Sequence, residues 1–531
     1  MASTLRVRRS LEALQADYNA GNKKALEDLM RAWKGIKELP ADDPHSFFRI
    51  GGFHGEPFRG AGWGNSSYWG GYCNHGNILF PTWHRVYLVK LEEALRSIPG
   101  CADVTMPYWD ETSVDSLNNG IPWALTQKDF VLDGQTIANP LRSFVFNKAI
   151  VDNINGDDPN YGKPLGYETV RYPLSGLVGT AQDRANTQKH NAQFSDYIQN
   201  VKLLNQNIIN WFGSYIVIDG KTVPTNVATK FAACLDAPNY TVFSNTTSAA
   251  QWNDDVTAGA AAVVPLESPH NSVHLAVGGY DVSSGPNAGD RSPIEGANGD
   301  MGENDTAGLD PIFFFHHCFI DRVFWLWQKR HGFTDRLEVI EGYPGTNSVD
   351  SQGPTPGTIP NAWLSLASPL DPFKRVEDCK EFSYTSLDCI NIETQLGFTY
   401  GPGSLEEAPK ALASADAANR SARMLRVSGL NRAPIRGSFV VSAYADIDGR
   451  QQLIGREAVL SRWSVQYCAN CQTHLEVKAF FSLHAFSANE VEQARIHVEI
   501  RTRDGVLGQT QPMATGAAPG VRKKLFRVDV R

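Results

Sequence analysis

Histidines are concentrated in three short, aromatic-rich segments of the chain, and neutral imidazole is the commonest metal ligand in proteins. Seven of the 13 histidines lie there, namely His54, His75, His84, His270, His274, His316 and His317. A single inward-facing histidine is more often a hydrogen-bonded core residue than a ligand, and one HxxxH pair is only suggestive. Three clusters together predict a metal site, because imidazoles buried among Phe, Leu and Trp need a partner. HNSVH lacks the glutamate of zinc proteases, which disfavours hydrolytic zinc.

Helices are needed to position these imidazoles. Ser268-Pro269 and Asp310-Pro311 are helix-start signals, each a capping side chain followed by a proline. They place His270 and His274 one turn apart on one helix face, and they direct His317 into an apolar core. The first 40 residues also show the three- to four-residue periodicity of helices.

The remaining patterns divide the chain into two domains joined by a linker. The predicted boundaries are a catalytic domain at 1–400 with its core at 45–345 and a Pro/Gly-rich excursion at 343–360, a linker at 401–423, and a C-terminal domain at 424–531. In the C-terminal domain the hydrophobic period changes to two, as in Phe439, Val441 and Ala443. This alternation predicts an antiparallel β domain, most simply a sandwich.

Composition excludes several classes of protein. The 531 residues are 42% hydrophobic and 20% charged, which is typical of globular domains. The net charge is −8 and no basic run forms a phosphate-binding stripe, so we expect no nucleic-acid partner. No apolar stretch reaches the length of a membrane span, and the N-terminus lacks the apolar segment of a secretion signal. With only eight, irregularly spaced cysteines, these features predict a cytoplasmic location.

Three segments closely resemble the copper signatures of tyrosinases, members of the type 3 copper superfamily that also contains catechol oxidases and haemocyanins. They are HNILFPTWHRVYLVKLEEAL, ESPHNSVHLAVGG and NDTAGLDPIFFFHHCFIDRVFWLWQ. The order of an aromatic core, a linker and a β domain carrying CxxC is similar to fungal pro-tyrosinases. The resemblance implies a mainly α catalytic domain, with a four-helix-bundle core and long loops around a dicopper centre, and an all-β, sandwich-like C-terminal domain.

The resemblance also implies roles for individual residues. The implied ligands are His54, His75 and His84 for the first copper and His270, His274 and His317 for the second. His316 then supports a ligand from outside the site or serves in packing. Cys73 matches the cysteine that forms a thioether with a histidine ring, here His75, although a plain buried thiol is the simpler interpretation. Asp321 is expected to orient an imidazole, or else to form a salt bridge with Arg322 or Arg85.

The implied reaction is oxidation of small phenolic and catecholic substrates by O2, with two copper ions as cofactors. In the family, a Glu/Asn pair matching Glu267 and Asn271 holds a water that takes the proton of a monophenol, whose pKa is about 10. We therefore expect ortho-hydroxylation of monophenols as well as oxidation of o-diphenols. Glu267 could instead only complement a helix dipole. A catechol oxidase without monophenolase activity, or a haemocyanin-like oxygen carrier, is the alternative.

Specificity and control are expected from four further features. Leu275 stands where some relatives carry a cation, which predicts no special preference for carboxylated phenols, and Asn304 stands at the family's gate position. Cys468 and Cys471 form the CxxC that is implicated in copper transfer in relatives, although two ordinary thiols are possible. An apolar side chain near Val459–Trp463 is expected to fill the active-site mouth, which predicts latency. A homo-oligomer is possible.

Overall fold

The computed structural model describes most of the chain. The described residues are 5–58, 71–151, 162–177, 179–218, 220–256, 262–282, 294, 296–348, 361–406, 423–447, 449–463, 476–484, 486–509, 513–514 and 526–531. Much of the excursion predicted at 343–360 and of the linker predicted at 401–423 lies outside these ranges, as do Cys468 and Cys471. Among the described helices, none is both long enough and apolar enough to cross a membrane.

Helices dominate the first 331 residues. Their bounds are α1 Leu11–Asn19, α2 Lys24–Glu38, α3 Phe47–Gly52, α4 Phe80–Ser97, α5 Val114–Asn119, α6 Ala181–Asn191, α7 Tyr197–Gly213, α8 Val227–Cys234, α9 Tyr240–Ser244, α10 Thr246–Asp255, α11 Glu267–Gly278 and α12 Ile312–His331. The predicted N-terminal helices are confirmed as α1 and α2. The side chain of Ser10 caps α1 by accepting a hydrogen bond from the amide of Ala13 at 3.1 Å.

The two central helices are buried on all sides. Every residue of α11 is buried, and α12 is buried from Ile312 to Trp325. A helix that is buried all round must be enclosed by other elements, and here α12 packs on α4 while α11 packs on α7 and α8. The start predicted for α11 was wrong, because this helix begins at Glu267 without a side-chain cap. Asp310 does cap α12, since its Oδ1 accepts from the amide of Ile312 at 3.1 Å.

The C-terminal region is an antiparallel β-sandwich, as predicted. The strands of the catalytic region are β1 Arg6–Arg8, β2 Asp129–Leu132, β3 Gln135–Ala138, β4 Tyr215–Ile218, β5 Lys221–Pro224, β6 Pro369–Glu377, β7 Lys380–Thr385 and β8 Phe398–Tyr400. The sandwich contains β9 Met424–Asn431, β10 Phe439–Ile447, β11 Arg450–Val459, β12 Glu476–Ser482, β13 Arg495–Thr502, β14 Gly505–Gln509, β15 Met513–Ala514 and β16 Arg527–Val530, with a short helix, α13 Ala488–Gln493. One sheet has the order β11-β10-β13-β14, with β15 beside β13, and the other has the order β12-β9-β16.

Both faces of strand β10 are buried, which explains how the two regions are joined. Phe439 and Val441 belong to the sandwich core, whereas Val440 belongs to the core of the helical region. In the opposite direction, Ile216 and Ile218 of hairpin β4–β5 contribute to the sandwich core. The sandwich is therefore packed into the helical region through shared apolar clusters rather than attached only by its linker.

A charged cluster reinforces this junction. Asp254, near the end of α10, accepts hydrogen bonds from Arg426 of β9 at 2.6 Å and from Lys478 of β12 at 2.7 Å. Arg531 approaches the same carboxylate at 3.3 Å. These cations lower the pKa of Asp254 against the opposing effect of burial. A single carboxylate of the helical region thus binds three cations of the sandwich.

Candidate metal centre

Three imidazoles from α11 and α12 meet at one point. The Nε2 atom of His317 lies 3.2 Å from Nε2 of His270 and 3.4 Å from Nε2 of His274. All three side chains are buried. One proton on His317 can serve only one of its two neighbours, whereas a cation would interact with all three lone pairs. This convergence fits a metal ion.

A second triad is formed by residues that are distant in sequence. His54 follows α3, His75 precedes α4 and His84 lies on α4. Their ring centroids are 5.2 Å apart for His54 and His75, 5.2 Å for His75 and His84, and 5.7 Å for His54 and His84. The Nε2 atoms of His54 and His84 are buried, with no hydrogen-bond partner within the described part of the chain. A metal ion would satisfy them.

Backbone carbonyls fix the tautomers of these rings. The Nδ1 atoms of His54, His84 and His274 lie 3.1, 2.8 and 2.8 Å from the carbonyl oxygens of Asn304, Phe80 and Met301. A carbonyl oxygen only accepts, so each Nδ1 must carry the proton and each Nε2 of the neutral ring keeps its lone pair. The rings are thereby oriented as ligands before any metal binds.

Burial keeps the imidazoles neutral. It lowers the pKa of His84 to about 3 and that of His274 to about 4, and it lowers the pKa of the other four ligand candidates well below the usual range. The two triads also touch, because the rings of His84 and His317 stack at 4.3 Å and those of His75 and His270 are 5.6 Å apart. The arrangement therefore offers two adjacent sites, each with three neutral nitrogen donors.

His316 has a partner that the sequence analysis did not identify. Its Nδ1 lies 2.6 Å from Oε1 of Glu111, and both side chains are fully buried. The His316 ring stacks on His270 at 5.2 Å, and one of its ring nitrogens lies within 4.8 Å of the ligand atoms of the second triad. Glu111 carries no sequence signal of its own, since a lone carboxylate after an aromatic segment does not indicate a histidine partner.

The prediction that Asp321 orients an imidazole was wrong. Its Oδ1 accepts from Nε of Arg85 at 2.5 Å, and its Oδ2 accepts from the hydroxyl of Tyr400 at 2.6 Å. Arg8 approaches the same carboxylate at 3.6 Å. The structure contains a salt bridge with Arg85, one of the two alternative partners, but the pair is buried and does not lie on the helix surface. Asp321 therefore joins α12 to α4 rather than supporting a ligand directly.

Glu267 and Asn271 both line a cavity next to the imidazoles. The cavity has a volume of about 470 Å³, and His75 also lines it. Glu267 accepts hydrogen bonds from the amides of Gly76 and Thr246, each at 2.8 Å, and burial raises its pKa against the effect of these donors. Asn271 Oδ1 lies 2.9 Å from Nδ1 of His270. Both side chains therefore line the same cavity as His75, and each has a hydrogen-bond partner.

The two predicted specificity positions are not among the described residues lining this cavity. Leu275 is completely buried in the hydrophobic core of the helical region. Asn304 is also completely buried, and its Nδ2 lies 4.0 Å from Sγ of Cys73. Because α11 and the segment before α12 direct both side chains into the protein interior, neither is among the described residues that line the cavity. The Sγ atom of Cys73 lies within 4.8 Å of a ring nitrogen of His54 and of a ring nitrogen of His75.

The β-sandwich also contributes to the lining of the cavity. Ala458, Val459 and Leu460, at the end of β11, line it together with His75 and Asn271. Within the segment Val459–Trp463, where an apolar cover is expected, Val459 and Leu460 are thus the described residues that line the cavity.

Trp463 belongs to the same segment, but it is not among the described residues that line the cavity. Its side chain packs against Leu177, and its amide donates to Oε1 of Glu303 at 3.0 Å. Arg462 forms an ion pair with Asp305, beside the first triad. These two side chains therefore contact the helical region without being among the described residues that line the cavity.

A buried pair of adjacent imidazole triads, carried by a helical core, defines the class of type 3 dicopper proteins. The family model of the common central domain of tyrosinase matches residues 44–330. The chain therefore belongs to the tyrosinase family, and it is a copper enzyme that oxidises phenols with O2.

Individual relatives are similar to this chain over nearly its whole length. The tyrosinase HcTyr2 of Hahella sp. (strain CCB-MM4) is 55% identical over 522 residues, which cover 94% of this chain and 92% of that protein. A tyrosinase of Aspergillus oryzae (strain ATCC 42149 / RIB 40) is 46% identical over 92% of both chains. The solved tyrosinase from Burkholderia thailandensis has a TM-score of 0.83 at 52% identity, covering 94% of this chain and 96% of that one. The similarity thus includes the C-terminal sandwich.

Proposed function

We propose that the chain both hydroxylates monophenols at the ortho position and oxidises o-diphenols to o-quinones. In this proposal His54, His75 and His84 hold one copper, and His270, His274 and His317 hold the other. The observation that carries it is the convergence of three Nε2 atoms, with those of His270 and His274 within 3.4 Å of that of His317, in a buried site. Two copper ions with three imidazoles each supply O2 activation and two-electron oxidation of a catechol.

The protein side chains prepare the phenol for this chemistry. Glu267 and Asn271 line the same cavity as His75, so a phenol in this cavity lies close to both a carboxylate and a ligand imidazole. A phenol binds metal well only as phenolate, and its pKa is about 10 in water. Glu267, with Asn271 orienting an intervening water, would accept that proton. The three donors on Glu267 fix the carboxylate in place for this role.

The assay that tests this function uses p-tyrosol with a trace of catechol in the copper-loaded chain. Sustained quinone formation from p-tyrosol is expected. A strict catechol oxidase consumes the catechol and yields no quinone from p-tyrosol. An oxygen carrier binds O2 without sustained uptake when catechol is added.

We also propose that the C-terminal sandwich acts as a cover that limits access to the dicopper site. It supplies Val459 and Leu460 to the cavity wall, and it shares apolar clusters with the helical region. Cleaving the copper-loaded chain within 401–423 and removing the C-terminal fragment should raise phenol turnover about tenfold or more, the increase expected when a site goes from being open in a tenth of the molecules to being fully open.

Turnover must be measured after size-exclusion chromatography, because the shared clusters can hold the nicked fragments together. The nicked but unseparated protein is the matched control. Unchanged turnover once the fragment has left would show that the sandwich does not limit access.

A thioether between Cys73 and His75 is the third part of the proposal. Cys73 is 2% exposed, lies within 4.8 Å of its histidine neighbours, and burial raises its pKa to about 12, so it is a thiol at neutral pH. In the protein loaded with copper in air, the peptide carrying both residues should be lighter by two hydrogen atoms, and Cys73 should resist alkylation after denaturation. Cys318, equally buried, is the control that should alkylate. Complete alkylation of Cys73 would contradict the bond.

A further inference from the structure

The cavity beside the dicopper site is lined by several charged side chains, and all but one of those described have a hydrogen-bond or ion-pair partner within the protein. Glu267 accepts from Gly76 and Thr246, and Glu457 binds Lys230 at 2.7 Å. Glu476 Oε1 accepts from the amide of Gly429 at 2.7 Å, and Lys478 binds Asp254 at 2.7 Å. Each of these groups is therefore engaged within the protein, and none of them needs a ligand.

Arg432 is the exception among the described lining residues. It follows β9 on the sandwich side of the cavity, its Nε is buried, and no hydrogen bond or ion pair joins its guanidinium to any part of the chain that the structure describes. Burial lowers its pKa to about 10, so the side chain is still a cation at neutral pH. Arg462 also lowers this pKa, whereas Glu267, which is already bound by its own donors, raises it. The side chain as a whole is only partly buried, and a partly buried guanidinium without a carboxylate partner can bind an anion that enters the cavity.

The geometry of the cavity defines which anion fits. The helical region contributes His75, Glu267 and Asn271 to the lining, where the hydroxyl of a phenol must be presented, and the sandwich contributes Arg432. A volume of about 470 Å³ accommodates one phenol ring with a short side chain. A planar guanidinium binds carboxylates in a bidentate manner. A ligand that interacts both with the groups around His75 and with Arg432 therefore has a phenol at one end and a carboxylate at the other.

We propose that Arg432 binds the carboxylate of para-hydroxyphenyl carboxylates, such as 3-(4-hydroxyphenyl)propionate, and so makes them preferred substrates. This inference rests on the proposed function, because it places the phenol of such a molecule at the dicopper site. It also assigns the substrate-binding cation to the C-terminal domain. Position 275, where some relatives carry a cation, holds a buried leucine here.

The test compares 3-(4-hydroxyphenyl)propionate with its methyl ester as substrates of the intact, copper-loaded chain. In Arg432→Gln, the ratio of kcat/KM for acid over ester should fall about tenfold, mainly through KM, since a charge-assisted hydrogen bond is lost. Arg432→Lys should retain part of the preference. Arg436→Gln is the matched control on the same segment, because Arg436 pairs with Asp183 at 3.0 Å and stacks on Trp463. The same ratio in wild type and Arg432→Gln overturns the inference.

Calorimetric binding of 3-phenylpropionate, which cannot be hydroxylated at a phenol, gives a second readout that does not depend on turnover. Its Kd should rise about tenfold in Arg432→Gln and stay unchanged in Arg436→Gln. An equal Kd in wild type and Arg432→Gln also overturns the inference. Failure of the proposed function looks different, because wild-type protein would then oxidise neither the acid nor the ester while the difference in binding remains.

Discussion

Replacing His317 with alanine is expected to lower phenol oxidation by about a thousandfold or more and to reduce the copper content from two ions to one per chain. The Nε2 atom of His317 is the one that lies within 3.4 Å of both other nitrogens of its triad. Without it, two imidazoles remain for the second copper, and a metal contribution of several kcal/mol to the barrier is lost. Copper analysis and a catechol oxidation assay on the same preparation measure both quantities.

His331→Ala provides the matched control for this experiment. His331 ends the same helix, α12, and its Nε2 lies 2.8 Å from the carbonyl oxygen of Leu235, away from both triads. It should keep two copper ions and near-normal turnover. Full copper content and activity in His317→Ala would show that the assigned triad is wrong, and His316, whose ring nitrogen is close to the same point, would become the replacement candidate.

Replacing Asp321 with alanine is expected to cause the largest loss of stability, about 3–5 kcal/mol, because it leaves buried cations without their partner. Arg85 and Arg8 are fully buried and both approach this carboxylate, and Tyr400 donates to it at 2.6 Å. Arg85 is adjacent to His84, and Asp321 is one turn beyond His317. The ion pair therefore couples the helices that carry ligands of the two triads. The free energy of unfolding of the copper-free chain, measured in urea, tests the expectation.

An exposed ion pair is the control for Asp321. Glu377 binds Arg375 at 2.5 Å, and its side chain is 63% exposed. Glu377→Ala should change the free energy of unfolding by less than about 1 kcal/mol, as is usual for surface pairs. If Asp321→Ala cost no more than this control, the network between α4 and α12 would not be the stabilising feature described above.

The two proposals about the sandwich have a common basis. Val459 and Leu460, at the end of β11, line the cavity. They belong to the same domain as Arg432. The sandwich would thus restrict access for phenols in general while offering a binding partner to those with a carboxylate. The charged cluster at Asp254 and the shared apolar clusters hold this domain in place. Access and specificity are then properties of the domain interface.

Helix positions were predicted well, but helix ends and side-chain partners were not. The periodicity of apolar residues located α1 and α2, since burial of one face leaves a regular pattern in the sequence, and the Ser-Pro and Asp-Pro signals located the helices that carry His270, His274 and His317. Ser268 was predicted as a cap, yet α11 begins at Glu267, because packing around this fully buried helix outweighs a local capping preference. Asp321 was assigned to an imidazole, because spacing places it one turn from His317 but cannot show that Arg85 lies nearer.

The amino-acid sequence by itself determined the kinds of ligand, the helices that carry His84, His270, His274 and His317, the alternation of the C-terminal strands and the family of the protein. These are local features, because each depends on the order of neighbouring residues. Only the tertiary structure decided which distant groups meet, namely Glu111 with His316, hairpin β4–β5 with the sandwich core, and Arg432 with the cavity. Local periodicity encodes which face of an element is buried, but the partner on that face is selected by the packing of the whole chain.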